Sequence, residues 1–176
     1  EAQHGVVARR QLLALGVGEE AIEVRLRAGR LQRLHGGVYA VGRIVDSQEE
    51  RWMAAVLFAG PGAVLSRQSA AALWGLRGPS SRAIGVTTPR KSSSRGNIHR
   101  HFSVLPPDEV TEHRRIPVTT VPRTLFDLAA TSSADVVEHA LRESEYRRLY
   151  DRLSLPALLA RYPGRRGATT VRECLW

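Results

Sequence analysis

Eight side chains near the start of this 176-residue chain have the reach and the chemistry to grip a polyanion. They are Arg9, Arg10, Gln11, Arg25, Arg27, Arg30, Arg33 and His35. A guanidinium makes bidentate contacts to phosphate and to guanine that an ammonium cannot, and of the 26 basic residues only Lys91 is lysine. A helix laid in the major groove needs side chains long enough to reach base edges and phosphates, which arginine supplies. Arg33 stands beside a tight turn, where a phosphate contact is geometrically easy. The set is read as a candidate surface for double-stranded DNA.

Other chemistries find less support. His99 and His101 fall on one face of a strand and His113 could join them, but no carboxylate neighbours the pair, so a metal site is not expected. Ser66 and Ser69 are read as a helix cap and a helix surface residue rather than nucleophiles. Asp108, Glu109 and Glu112 lack the lysine that a restriction-type nuclease places beyond its carboxylates. No glycine-rich phosphate loop is present. Asp127 follows Arg123 at i, i+4, the spacing of a helix-stabilising ion pair. The chain is therefore expected to be no enzyme, with no catalytic residues, metal or cofactor.

The arginines need elements to hold them. Ala8 to Leu15 reads as a short helix, with Leu12, Leu13 and Leu15 available to pack. A second helix starts after Gly18, with Glu19 and Glu20 at the positive end of its dipole and Ile22 and Leu26 turned inward. Gly29 stops it. Leu31 to Leu34 and Val38 to Val41 read as strands joined by His35-Gly36-Gly37. Glu1 to His4 resemble the tail of an interrupted helix. Arg43 to Asp46 reads as a connector. Ser47 and Glu50 form a capping box for a helix whose apolar stripe is Trp52, Ala55, Val56 and Ala59. Val64-Leu65 is a short strand and Ser66 opens a helix ending at Gly75. Strands follow at Ala83 to Thr87, Ile98 to Val104 and Ile116 to Thr119, with an exposed loop from Pro89 to Asn97. From Val121 the pattern is helical, with stripes at Leu125, Leu128 and Ala129 and at Val136, Val137, Ala140 and Leu141. Pro156 to Tyr162 and Ala168 to Leu175 close the chain as two short helices.

Bulk properties agree with a nucleic-acid partner. The formal charge is +9 with a pI near 11.0. Residues 1–45 carry seven Arg against four Glu, and residues 77–123 carry nine basic against three acidic residues. No apolar run is long enough to span a membrane, so no membrane partner is expected. The single cysteine fits a reducing, cytoplasmic setting.

Three blocks resemble the AbiEi-type antitoxin family. The first is Gly29-Arg30-Leu31-Gln32-Arg33 with Gly37-Val38-Tyr39. The second runs from Val64 to Leu76 through Leu65-Ser66-Arg67-Gln68-Ser69-Ala70. The third runs from Ile116 to Ala129 through Thr119-Thr120-Val121-Pro122-Arg123-Thr124-Leu125-Phe126-Asp127-Leu128. The resemblance implies an α+β chain: a winged helix-turn-helix over residues 1–43 with its first helix truncated, then an antitoxin-like domain over residues 47–176 with a small sheet and C-terminal helices. It implies a transcriptional regulator that binds its operator and counteracts a nucleotidyltransferase toxin; a homodimer on an inverted repeat is a common arrangement for such motifs, but no dimer seam is visible in the sequence. The same arrangement occurs at the front of longer proteins with a very-short-patch-repair-like nuclease, and Tyr162-Pro163-Gly164-Arg165-Arg166-Gly167 resembles their connector. The alternatives are therefore the DNA-targeting half of such a nuclease, or a protein-interaction module without DNA binding. Glu19, Glu20 and Glu23 on the second helix motivate the latter.

Overall fold

The computed structural model describes residues 3–78, 83–149 and 154–175. The class is α+β, with eight α-helices and two sheets among the described residues. Val6–Ala8 forms β1, Arg9–Ala14 α1, Glu19–Arg27 α2, Leu31–His35 β2 and Val38–Val41 β3. β3 lies between β1 and β2, pairing antiparallel with both. Two helices joined by a short turn therefore lie between a strand and a hairpin wing, the winged arrangement expected from the sequence. Gly29 takes a φ of 68°, which ends α2 at little steric cost and turns the chain into the wing.

Three details of this unit depart from expectation. Gln3 and His4 form a turn into β1 rather than the tail of a helix, and the Val6 amide donates to the Gln3 carbonyl at 2.9 Å. Glu1 and Ala2 lie outside the described residues. The strand β1 was not expected, although the β-branched pair Val6-Val7 favours it. Of the three leucines offered for packing, Leu12 packs partly onto Ile22, Leu31 and Tyr39, while Leu13 and Leu15 stay exposed.

The next helix, α3 (Gln48–Ala59), joins the unit to the rest of the chain. The Ser47 hydroxyl accepts from the Glu50 amide at 3.0 Å, one half of the expected capping box. The Glu50 carboxylate instead takes the amides of Val45 and Asp46, the latter at 2.5 Å, and is itself buried. Every residue from Trp52 to Leu57 is buried, so the expected single stripe was too narrow. The reason is position: α3 packs against β1 and β3 on one side and against β5 and β8 on the other. One continuous core joins Val6, Ala8 and Val38 to Trp52, Met53 and Val56, and on to Leu65, Val86 and Val118.

The second sheet runs β6-β5-β4-β8-β7. Its strands are β4 (Val64–Leu65), β5 (Ile84–Thr88), β6 (Ile98–Phe102), β7 (Val110–His113) and β8 (Ile116–Thr119), and α4 (Arg67–Leu73) follows β4. β5 pairs parallel with β6 and β4 with β8, while the remaining pairs are antiparallel. The edge strand β7 was not anticipated, because Thr111, Glu112 and His113 carry little apolar signal. Alternation decides the faces: Ile84, Val86 and Ile98 turn toward α3, while Thr87 and His101 turn toward the other side, where Phe126 and Asp127 stand. That side carries α5 (Val121–Ala129), α6 (Ala134–Tyr146), α7 (Ser154–Arg161) and α8 (Ala168–Leu175) around a second core of Leu125, Phe126, Val137, Leu155 and Val171. Among the described residues, no helix is long and apolar enough to cross a membrane.

Candidate nucleic-acid interface

The eight side chains singled out from the sequence divide into two groups. Four are occupied in building the winged unit. The Arg9 guanidinium meets the Glu19 carboxylate at 2.6 Å, tying the start of α1 to the start of α2. Glu19, and then the Tyr39 hydroxyl, raise the Arg9 pKa further. Gln11 accepts from the Ala8 amide at 2.8 Å and so caps its own helix from the third position. Arg10 donates to the Leu57 carbonyl at 2.8 Å, and burial lowers its pKa. His35 lies half-buried against Phe58, with ring centroids 5.1 Å apart, and burial lowers its pKa too.

Arg10 has a counterpart from the second sheet. Arg100 donates to the Phe58 carbonyl at 3.0 Å and its guanidinium stands 4.4 Å from the Phe58 ring centroid. Two cations thus meet the negative end of the α3 dipole, where the last carbonyls have no helical donor. Phe58 is held between His35 of the wing and Arg100 of β6. This joint fixes the winged unit on the body of the molecule.

The other four side chains, Arg25, Arg27, Arg30 and Arg33, are exposed. Arg25 donates to the Ala21 carbonyl of its own helix at 2.9 Å. None of the four makes an ion pair among the described residues. They run from the last turn of α2 through the loop into β2, so one continuous edge of the winged unit is cationic. The outward face of α2 is different. At about 100° per residue, Glu20, Glu23, Val24 and Arg27 share it, and all four are exposed. That face carries two carboxylates against one guanidinium. The cationic edge is therefore the C-terminal end of α2 and the wing, not the middle of α2.

The remaining chemical groups also find their places. His99 is exposed and His101 half-buried on β6, while His113 stacks on Trp74 at 4.3 Å from β7, the opposite edge of the sheet. No group of three or more His, Cys, Asp or Glu gathers as a metal site among the described residues. Ser66 precedes α4, but its hydroxyl does not cap the helix and is buried without a hydrogen-bond partner. Ser69, expected on a surface, is buried and accepts from the Gly85 amide at 3.0 Å, which ties α4 to β5.

Arg123 and Asp127 form the expected pair at 3.0 Å, but as part of a larger buried network. Arg123 also meets Glu109, and both are about 2% exposed. Burial pulls the Arg123 pKa down, but Asp127 and then Glu109 outweigh it, and the net shift is upward. Glu109 accepts further from Arg161 at 2.7 Å and from the Tyr162 hydroxyl at 2.8 Å, and Arg161 grips Asp108 at 2.7 Å. These residues bind α5 and α7 to the turn before β7. Sequence spacing gave the Arg123–Asp127 pair only, since Glu109 and Arg161 come from distant segments. No model of a known protein family matches the chain, and no curated protein matches it.

Proposed function

We propose that the protein is a DNA-binding transcriptional regulator that docks on duplex DNA through the C-terminal end of α2 and the wing. The observation that supports this reading is the run of exposed guanidiniums at Arg25, Arg27, Arg30 and Arg33, none of them in an ion pair among the described residues. Arg27 at the last turn of α2 reaches toward the groove, and Arg30 and Arg33 take flanking phosphates. Arg9, Arg10, Gln11 and His35 keep the unit rigid and hold its angle on α3. The DNA is the operator of the protein's own operon. The finer reading is that of an antitoxin, in which the body beyond α3 counteracts a nucleotidyltransferase toxin.

Substitution tests the assignment. Arg27→Ala together with Arg33→Ala is expected to weaken duplex binding at least about tenfold and, through the phosphate contact of Arg33, to lower the salt slope by about one. Unchanged affinity and slope would overturn it.

One observation favours a second reading. The outward face of α2 carries Glu20 and Glu23, which phosphates would repel, beside the exposed Val24. A protein partner with a basic surface fits that face better than DNA does. Under this reading Glu20→Gln with Glu23→Gln would weaken partner binding and would leave DNA affinity unimproved.

A further inference from the structure

On the far side of the five-stranded sheet from α3 and the winged unit there is a cavity of about 210 Å³. Its charged lining is Arg67, Arg123, Arg165 and Arg166 against a single carboxylate, Asp127. Asp127 is already taken by Arg123, at 3.0 Å. Arg67, Arg165 and Arg166 form no salt bridge among the described residues. Three guanidiniums without counter-charge, supplied by α4 and by the turn before α8, thus line one solvent-open pocket. Neutral hydrogen-bonding groups complete the lining: Thr87 and His101 from the sheet, and Ser103 and Thr131 beside them. Burial, and then the nearby Arg67, lower the His101 pKa, which keeps this imidazole a neutral donor or acceptor at pH 7.

The convergence is built by the backbone. Gly167 takes a φ of 95°, and a Cβ there would meet the Ala130 nitrogen at 2.7 Å. The turn is therefore seated directly on the end of α5, which carries Arg165 and Arg166 to the cavity. The Arg165 guanidinium is further held over the Tyr162 ring, 5.2 Å from its centroid. Across the cavity, Arg67 heads α4 with a φ of 56°, a left-handed conformation uncommon for a residue with a side chain.

We propose that this cavity binds the phosphate of a small phosphomonoester, with Arg67, Arg165 and Arg166 as its counter-charges and the hydroxyls and His101 completing the cradle. Arginine forks match phosphate oxygens, and clustered guanidiniums repel one another until an anion is present. The volume lies below the roughly 300 Å³ at which pockets for drug-sized ligands begin, so a phosphate with a short carbon or sugar part fits and a long polymer does not. A DNA backbone phosphate could supply the same chemistry. It is disfavoured by position, because the cavity and the winged unit stand on opposite sides of the sheet.

Isothermal titration of the protein with ribose 5-phosphate, with ribose as control, tests the site at low ionic strength. Saturable binding of ribose 5-phosphate with none of ribose is expected. The Arg165→Gln/Arg166→Gln variant should bind at least about tenfold more weakly with an unchanged thermal midpoint, because both side chains are exposed. Arg67→Gly is a second variant; it removes one counter-charge while suiting the left-handed backbone, and it should weaken binding similarly. A folded protein that does not bind ribose 5-phosphate, or variants that bind it as tightly as the parent, would overturn the proposal. Competitive displacement of ribose 5-phosphate by a short DNA duplex would also overturn it, assigning the cavity to backbone phosphate.

Discussion

Arg123 shows how far one residue's role can exceed what its spacing announces. The i, i+4 relation to Asp127 was legible in sequence. The second partner, Glu109, was not, because it arrives from a turn before β7 and its burial depends on α7 covering it. Removing one member of a buried ionic group leaves the others uncompensated, so Arg123→Ala is expected to cost about 3–5 kcal/mol, measured by urea unfolding. A loss below about 1 kcal/mol would show that Glu109 and Asp127 find other partners or water. The histidines supply a pH dependence. Burial is the first cause of the lowered pKa at His35, His101 and His113, all below the ordinary value of 6.5. The unfolded chain therefore takes up protons first as the solution is acidified. Stability is fully present above pH 6.5 and falls as pH drops through the folded values. The urea midpoint should be lower near about pH 5.5 than near about pH 7.5, and His35→Phe should shrink that difference. A midpoint that rises on acidification would contradict the sign.

At the scale of elements, most helices and strands could be read from residue patterns, and the exceptions share a cause. β1 and β7 are short strands of three and four residues, one lying in the gap between two segments that read as helical and one too polar to stand out. α3 was legible as a helix, but not as one buried on both sides. A sequence shows that Met53, Ala54 and Leu57 are apolar but not that two sheets compete for the same helix. The same gap explains Arg10. On the sequence it belongs with Arg9 and Gln11 on a candidate DNA face, but it spans 47 positions to reach the Leu57 carbonyl at the end of α3. Arg10→Ala is expected to cost about 1 kcal/mol of stability through the lost carbonyl contact and dipole interaction. Its effect on DNA affinity should be smaller than that of Arg27→Ala. The reverse ranking, from anisotropy titrations of the two variants, would place Arg10 on the DNA instead.

The whole molecule stacks a three-stranded sheet, α3, a five-stranded sheet and a helical layer, with one core running from the winged unit into the second sheet. That continuity packs the wing against the body, and it leaves Arg25, Arg27, Arg30 and Arg33 of the α2–β2 edge exposed. The α+β class and the winged arrangement were legible from glycine positions and apolar spacing. Which arginines remain available was not, since that depends on partners such as Glu19 and Leu57 that only the fold brings near. The formal charge of +9 ensures attraction to any polyanion, so binding alone would not distinguish a regulator from a basic surface. The most direct measurement is fluorescence anisotropy with duplex DNA from immediately upstream of the protein's own gene, against a scrambled duplex, at about 50 and about 200 mM salt. If Arg30 and Arg33 neutralise phosphates, affinity should fall about tenfold between the two salts, from a slope of about −1.8. The native duplex should also bind more tightly than the scrambled one at both. Equal affinity for the two duplexes, or affinity indifferent to salt, would contradict a sequence-reading winged helix and leave the acidic face of α2 as the surface to pursue.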